Sequence, residues 1–287
     1  MRYAGLIEQA RANNRQGFPI GAAYLRAANE LAAFDVGVLR SVQESLRQRV
    51  NADLDRADSA GFWLHLAGWP LLAVLLAGGY WLMQRFRRLL NVALAAALLV
   101  AFGALAVGWV VQASAMSDAE DAIDGPLVAA DLAAQARSAA FDARTHELLT
   151  LINRGNGAAD EEAWGQSAAV AVLALTRLCD GGGECNLTEE FRQVIDAHDQ
   201  LRSVDDGGDW ESAKNVGLDP TGPTRTTFDQ FVRDSGFTSD EQAAAAASAL
   251  TDAPSSLAGM RVVVFLAGLV AAALALVGYG QRLREYR

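Results

Sequence analysis

Three long apolar stretches interrupt an otherwise polar chain, and they are the first elements that the pattern of side chains predicts. Residues 61–83, 89–111 and 262–280 each run for 19 or more positions without Asp, Glu, Lys or Arg. A helix needs about 20 residues to cross the hydrocarbon core of a membrane, and helices in soluble cores are seldom apolar on all sides. We therefore predict three transmembrane helices, at 61–83, 89–112 and 259–280.

The residues before the first apolar stretch follow a helical period. Residues 3–13 read as the end of one helix, and residues 14–21 as a turn that contains Gly17 and Pro19. From residue 20 to residue 58, apolar side chains recur every three or four positions. Residues 1–60 are therefore predicted to be a helical segment, the remnant of a first bundle.

The long polar segment 113–258 predicts four helices. The first continues the second apolar stretch to about Ile152, with a kink at Gly125-Pro126. A turn at 153–157 separates it from a second helix at 160–178, a third begins with Asn186 as its N-cap, and a fourth begins near residue 224. Residues 205–223 read as a loop or broken helix, and the fourth helix has weak points at 235–236 and at Pro254.

These helices set the predicted fold class. No sustained alternation of β-branched residues is present, so strands are not expected. A first helix that leaves the membrane and a fourth that returns to it predict an up-down-up-down four-helix bundle for residues 113–258. We expect an all-α membrane protein.

Arginines predict the orientation of the chain. The connector 84–90 and the tail 281–287 each contain three arginines with at most one acid, whereas residues 113–258 hold 26 acidic side chains against nine basic ones. Short arginine-rich segments stay in the cytoplasm. Both basic segments are thus placed inside and the acidic segment outside a plasma membrane, on the evidence of Arg85, Arg87, Arg88, Arg282, Arg284 and Arg287.

This topology also puts residues 1–60 outside. The chain opens with MRYAGLIEQA, already within a helical pattern and with no signal peptide before it. We expect a further transmembrane helix and part of the first outer domain to precede Met1. Translocation of a free N-terminal segment is the alternative.

Sequence motifs for chemistry are lacking. The chain contains no Gly-rich phosphate loop, no HExxH, no Gly-x-Ser-x-Gly and no Cys-x-x-Cys. His65 is expected at the membrane interface. His146 and His198 have acidic neighbours, Glu147 and Asp199, which leaves an accidental metal site as an alternative, but exposed polar helix faces explain both histidines more simply. We expect no catalysis, no cofactor, no metal site and no nucleic acid partner, and the short cytoplasmic segments require that any signal passes to a separate protein.

The only two cysteines lie in the stretch CDGGGEC, residues 179–185. Spacing alone permits a metal site, a redox pair or a disulfide. The predicted outer location favours oxidation, and no further soft or imidazole ligands lie nearby in sequence. We predict a disulfide between Cys179 and Cys185 that stabilises the fold by about 2 kcal/mol in the chain-entropy model.

Two stretches carry a family resemblance: ANNRQGFPIGAAYLR at residues 12–26 and ARTHELLTLINRG at residues 143–155. Together with the paired spans, the short arginine-rich connector and the tail QRLREYR, they resemble the actinobacterial GlnX-type transmembrane sensors. Members of that family have four spans, the first of which precedes a complete outer domain that this chain lacks. The resemblance implies a sensor or adaptor that acts with an extracytoplasmic amino-acid-binding lipoprotein (GlnH) and a cytoplasmic Ser/Thr kinase (PknG).

Seven residues of these two regions are candidates for ligand contact. They are Arg15, Phe18, Tyr24 and Arg26 near the first turn, and Arg144, Glu147 and Arg154 in the second domain. Arg144 and Glu147 are three residues apart and so share a helix face, which equally describes a surface ion pair worth a few tenths of a kcal/mol.

Two other functions compete with a sensor. One is a structural or assembly factor of the cell envelope, with the acidic domain as a spacer; the other is a transporter subunit. Transporters usually have interrupted spans and polar residues at the midplane, which these apolar stretches lack, so the transporter ranks last. A homo-oligomer is compatible with either of the first two functions.

Overall fold

The structure is a computed structural model. It describes residues 2–15, 20–21, 23–28, 48, 52, 66, 68–70, 72–74, 76–80, 84, 92–154, 156–183 and 185–284. These residues are helical or lie in turns, and none of them is in a strand. The all-α class is therefore confirmed for this part of the chain. Phe18, His65, Arg85, Arg87, Arg88 and Arg287 lie outside it, as do the side chains of Arg282 and Arg284.

Seven α-helices and one π-helical turn are described. In chain order they are α1 (Arg2–Arg15), α2 (Val92–Ala122), the π turn (Ile123–Leu127), α3 (Val128–Ile152), α4 (Ala158–Asp180), α5 (Asn186–Asp206), α6 (Trp210–Leu218) and α7 (Pro223–Arg284). They belong to two compact units, Met1–Ser45 with Ile123–Ala246, and Leu46–Ala122 with Ala247–Arg287. We call these the first and the second unit.

The first unit has an apolar core to which four helices contribute. Alanines on α3 and α4 pack against each other, and Ala133, Ala136 and Ala171 are fully buried. Phe191 from α5 and Phe231 from α7 fill the space beside them, with ring centroids 5.0 Å apart. Small side chains let helix backbones approach closely, and the two phenylalanines are the largest fully buried side chains of this core.

Glycine is required where α3 turns into α4. A Cβ atom on Gly157 would lie 2.6 Å from Thr150 Cγ2 and 3.0 Å from its Cα. The turn also contains Arg154 with φ 41°, a left-handed conformation that non-glycine residues seldom adopt. The expected turn at 153–157 is thus present, and α3 ends at Ile152 as the sequence predicts.

The turn from α4 to α5 is closed by a disulfide between Cys179 and Cys185, whose Cα atoms are 4.8 Å apart. Gly182 has φ +84°, and the N–H of Gly183 donates to the carbonyl oxygen of Leu178 at 2.9 Å. The disulfide prediction is confirmed. The N-cap prediction is wrong, because Cys185 is the N-cap residue, Asn186 is already helical, and no side chain caps the helix.

Two expected interruptions of helices take other forms. At Gly125-Pro126 the chain makes the π turn, which contains Pro126. Helix α7 continues through Ser235-Gly236 and Pro254 without a break, so the expected weak points there are wrong. The Ser235 hydroxyl donates to the carbonyl oxygen of Phe231 at 2.6 Å, within the helix. The polar stretch 205–223 contains the short helix α6.

The second unit is apolar on its surface. The helical segment Val92–Ile152 contains the one stretch, among the residues that the structure describes, that is long and apolar enough to cross a membrane. Leu99, Phe102 and Trp109 on α2 are exposed. Two shorter apolar helical stretches, Gly68–Tyr80 and Val262–Gly278, also occur in this unit. Within it, Trp69 meets Phe102 edge to face, with ring centroids 6.0 Å apart.

Candidate functional site

A group of ionisable side chains lies where α3 ends and α4 begins, and α5 contributes its central residue. Its centre is His198 on α5, which is 1% exposed. The Nδ1 atom of His198 is 3.0 Å from Glu147 Oε2, and its Nε2 atom is 3.1 Å from Glu161 Oε1. We call Glu147, His198 and Glu161 the triad, and it joins α3, α5 and α4.

An aromatic ring covers the histidine. The Trp164 indole lies parallel to the His198 imidazole, with centroids 3.5 Å apart and an interplanar angle of 8°. Trp164 is on the same helix as Glu161, one turn further along. The imidazole is therefore held at both nitrogens and on one face, which fixes its orientation.

Arginines hold the two carboxylates of the triad from outside. Arg144 pairs with Glu147 and also donates from Nη2 to the carbonyl oxygen of Gly217 on α6 at 2.8 Å. Arg202 Nε lies 3.2 Å from Glu161 Oε2, and the same guanidinium pairs with Asp205 and Asp206. Charged groups buried in pairs and networks avoid the large desolvation cost of an isolated charge.

A second polar group surrounds Asp160 in the first turn of α4. The side-chain amide of Asn153 donates to Asp160, and Arg26 Nη2 lies 3.3 Å from the same carboxylate oxygen. His146 Nδ1 is 3.5 Å from the other oxygen. We call these residues the Asp160 cluster. Arg26 comes from the N-terminal part of the chain, so the cluster ties residues 134 positions apart.

The end of α3 is also fixed by an aromatic residue of α6. The indole N–H of Trp210 donates to the carbonyl oxygen of Leu151 at 2.7 Å. The guanidinium carbon of Arg154 lies 3.8 Å from the Trp210 ring centroid, and Lys214 Nζ lies 5.2 Å from it. A cation over an indole face is favourable by about 0.5–1 kcal/mol at exposed sites, which offsets part of the strain of the left-handed Arg154 backbone.

An aspartate at each end of α6 has a lowered pKa. The Ser212 hydroxyl and then the Ser212 backbone N–H donate to Asp209 and lower the pKa of that carboxyl. The backbone N–H and hydroxyl of Thr221 donate to Asp219, both at 2.8 Å, and lower its pKa likewise. Hydrogen bonds to the charged form of an acid favour that form. Asp209 is the N-cap of α6.

The candidate ligand residues have different positions. Arg144 and Glu147 are in contact with each other, as their spacing predicts, and Arg26 reaches the Asp160 cluster. Arg154 lies against Trp210 instead. Arg15 is exposed in the last turn of α1 and Tyr24 is half-buried; no contact described in the structure brings either to the triad. Their roles as ligand contacts stay predictions.

Sequence reasoning missed the centre of the site. His198 was expected on an exposed polar face, and that expectation is wrong because the residue is buried; His146 is half-buried. A signal was available in the period of α5: Leu187, Phe191, His198 and Leu201 are all buried at helical spacing. From the sequence, Glu161 and Asp160 were explained only as first-turn acids of α4, where the helix dipole favours negative charge.

The triad combines one imidazole with two carboxylates, which are groups that can bind and release protons, and each carboxylate is paired with an arginine. Among the described residues, no group of three or more His, Cys, Asp or Glu side chains has the geometry of a metal site. The expectation that the chain uses no cofactor is untested.

Comparison with known proteins adds one finding. Residues 1–59 match the model of a family described as an actinobacterial sensor domain. No curated protein and no solved structure matches the chain. The family match fits a sensor-type protein from actinobacteria, and Arg26 lies within the matched residues.

Proposed function

We propose that the chain is a non-enzymatic membrane sensor or adaptor that relays an extracytoplasmic signal to a separate cytoplasmic protein. The observation that carries the proposal is the ion pair between Arg26 and Asp160. Arg26 belongs to the residues that match the sensor-domain family, and Asp160 lies in the first turn of the helix that also holds Glu161 and Trp164. A displacement of the matched segment would therefore alter the ion pair at Asp160, which is the neighbour of Glu161 in the triad.

The proposed topology is the one that the arginines predict. Residues 61–83, 89–112 and 259–280 cross the plasma membrane, and residues 113–258 form an extracytoplasmic four-helix bundle. The exposed apolar surface of α2 supports one of these spans, and the apolar stretches Gly68–Tyr80 and Val262–Gly278 are consistent with the other two. The apolar core shared by α3, α4, α5 and α7 supports the bundle.

The proposed partners are an amino-acid-binding lipoprotein outside, a Ser/Thr kinase inside and the lipid bilayer. Arg26, Arg144, Glu147 and Arg154 are proposed to couple ligand or lipoprotein binding to the helices, together with Arg15, Phe18 and Tyr24. Of these residues, Arg26 is the one that connects the segment matching the sensor-domain family to α4, through its ion pair with the 8% exposed Asp160.

Co-purification tests the proposal. The full chain, with an affinity tag, is isolated from actinobacterial membranes, and the kinase and lipoprotein that accompany it are quantified. We expect both partners with the wild-type chain, and at least one of them at a clearly lower yield with Arg26→Ala. Arg11→Ala is the matched control, since Arg11 forms an exposed ion pair with Glu8 inside α1.

Two results would contradict the proposal. One is the absence of both partners from the wild-type preparation, with envelope-assembly proteins recovered in their place. The other is an equal loss of partners with Arg11→Ala and Arg26→Ala. The topology is tested separately with a fluorescent reporter after Arg287 and a phosphatase inserted at the turn 207–209. Cytoplasmic fluorescence and external phosphatase activity are the expected results.

A further inference from the structure

The triad requires more protons than its ordinary charge states supply. His198 lies within hydrogen-bond distance of a carboxylate at each ring nitrogen. An ionised carboxylate can only accept, and a neutral imidazole has a single N–H to donate. Two hydrogen bonds therefore need two protons, one more than a neutral histidine between two ionised carboxylates contains.

The surroundings of His198 favour the extra proton. Glu147 faces it from α3 and Glu161 from α4, and the ring of Trp164 on α4 lies flat against it. The other charged groups nearby, Arg144 and Arg202, contact the carboxylates and not the imidazole. A positive charge is thus placed between two negative ones and against an aromatic face, an arrangement that favours a cation.

Loss of the second proton changes the packing of helices. One ring nitrogen would then present a lone pair to a carboxylate oxygen about 3 Å away, on an imidazole that is only 1% exposed. The attraction at that position becomes a repulsion, and either the α3–α5 or the α4–α5 contact is lost. The change is larger on the side of Glu147, whose side chain is 4% exposed, than on the side of Glu161, whose side chain is 35% exposed, because charges in a low-dielectric interior interact more strongly than in water.

We propose that the triad is a proton-dependent switch, which holds α3, α4 and α5 together while it carries two protons and releases one of these contacts when the second proton leaves. Both hydrogen bonds of His198 are present at the acidic end of the pH range, and one of them is lost at the alkaline end. This adds external pH as a regulator of the proposed sensor. The inference rests on the proposed function only for its biological use, because the proton count follows from geometry.

The test measures thermal unfolding of the full chain in detergent between about pH 5 and pH 8, the range in which histidines usually change charge. For the wild-type protein we expect the midpoint to fall by roughly 5 °C as the pH rises. In Glu161→Gln, the side-chain amide donates to Nε2 and a neutral His198 donates to Glu147. Both hydrogen bonds then form with one ring proton, so most of the pH dependence should disappear.

Glu162→Gln is the matched control, since Glu162 is the exposed neighbour on the same helix. It removes the same charge and should keep the wild-type pH dependence, including any contribution from His65 and His146. The proposal is overturned by a wild-type midpoint that stays level or rises from acid to alkaline pH. Equal pH dependence in Glu161→Gln and Glu162→Gln would overturn it as well.

A second measurement covers the case in which Glu161→Gln does not fold. The emission of Trp164, taken as the difference between wild type and Trp164→Phe, should change over the same pH range as the stack on His198 alters. An unchanged difference spectrum counts against the switch. Failure of either test leaves the partner co-purification unaffected, so the two proposals are judged independently.

Discussion

The two halves of the α3–α4 interface are held together by different kinds of contact, apolar in one half and polar in the other. Toward the start of α3, alanines such as Ala133 and Ala136 face Ala171 and Ala174 with no polar contact between them. Toward its end, Glu147 on α3 and Glu161 on α4 each contact a different ring nitrogen of His198 on α5. The alanine half can tolerate small displacements, whereas the polar half specifies register.

The apolar half and the polar half should contribute differently to the stability of the fold and to its response to conditions. Alanine loses no rotamer freedom on burial and leaves no polar group without a partner. The polar half buries charges whose desolvation cost nearly cancels their attraction. We therefore expect the apolar half to dominate the free energy of unfolding and the polar half to determine response to conditions.

The largest effect should come from the apolar core to which the alanine half belongs, at a residue that α7 contributes. Phe231 is fully buried in the core, and Phe231→Ala should lower the free energy of unfolding by about 4 kcal/mol through lost burial and the cavity left behind. Phe237→Ala, on the same helix at an exposed position, is the control and should have almost no effect. Denaturant unfolding in detergent measures both. Equal losses for the two variants would show that Phe231 does not belong to the core.

In the polar half, Glu147→Ala should cost about 3 kcal/mol, because it leaves Arg144 and His198 without their buried partner. The replacement of exposed Glu162 by alanine should change the free energy of unfolding by less than about 0.5 kcal/mol. Denaturant unfolding in detergent measures the free energy of unfolding of both variants. If Glu147→Ala is as mild as the control, the network does not hold the helices together.

Removal of the disulfide tests the turn at the opposite end of α4 from the triad. Cys179→Ser with Cys185→Ser should lower the free energy of unfolding by about 2 kcal/mol, since the cross-link restricts the unfolded chain. Intact mass with and without reductant should differ by two hydrogens in the wild type. Two free thiols in the native protein would contradict the assignment.

A pair of glycine substitutions should have opposite signs. A Cβ on Gly217 would lie 2.8 Å from Leu201 Cδ1 and 2.9 Å from Leu151 Cδ1, so Gly217→Ala should destabilise by about 1 kcal/mol through overpacking. Gly165 on α4 has open space around it, and Gly165→Ala should stabilise by about 0.5–1 kcal/mol through helix propensity. Stabilisation by both would mean that α6 does not pack closely against Leu151 and Leu201.

The smallest effect concerns acid. The pKa of Asp209 is lowered by its bonds with Ser212, so this cap stabilises the fold fully above the ordinary value of 3.8 and loses its contribution as the pH falls through the lowered value. Asp209→Ala should reduce stability near neutral pH and show a smaller further loss below pH 3.8. Unfolding curves at several pH values test this. An identical acid loss in wild type and variant would exclude the cap as a contributor.

The sequence predicts those parts of the fold that depend on local pattern. The end of α3 at Ile152, the turn that follows it and the Cys179–Cys185 disulfide all result from spacing and turn residues within a few positions. The pairing of Arg144 with Glu147 is equally local. Each of these could be worked out without knowing which helices pack together.

The triad could not be predicted in this way. His198 is 51 residues from Glu147 and 37 from Glu161, so their proximity depends on how three helices pack. Each residue alone has an ordinary explanation as part of a polar helix face or as a first-turn acid. The pairing of Arg26 with Asp160 is still more remote in sequence, and nothing in either local pattern specifies it.

These sequence separations have a consequence for the order of folding. The disulfide closes a loop with a separation of six residues, and short loops lose little entropy on closure. The α4–α5 hairpin and the α3–α4 hairpin, whose connecting turn is equally short, should therefore form early. The triad can form only after both hairpins, because it joins α3, α4 and α5. Contacts that form after the transition state affect the unfolding rate more than the folding rate. We expect substitutions in the triad to shorten the lifetime of the native protein while leaving its folding rate nearly unchanged.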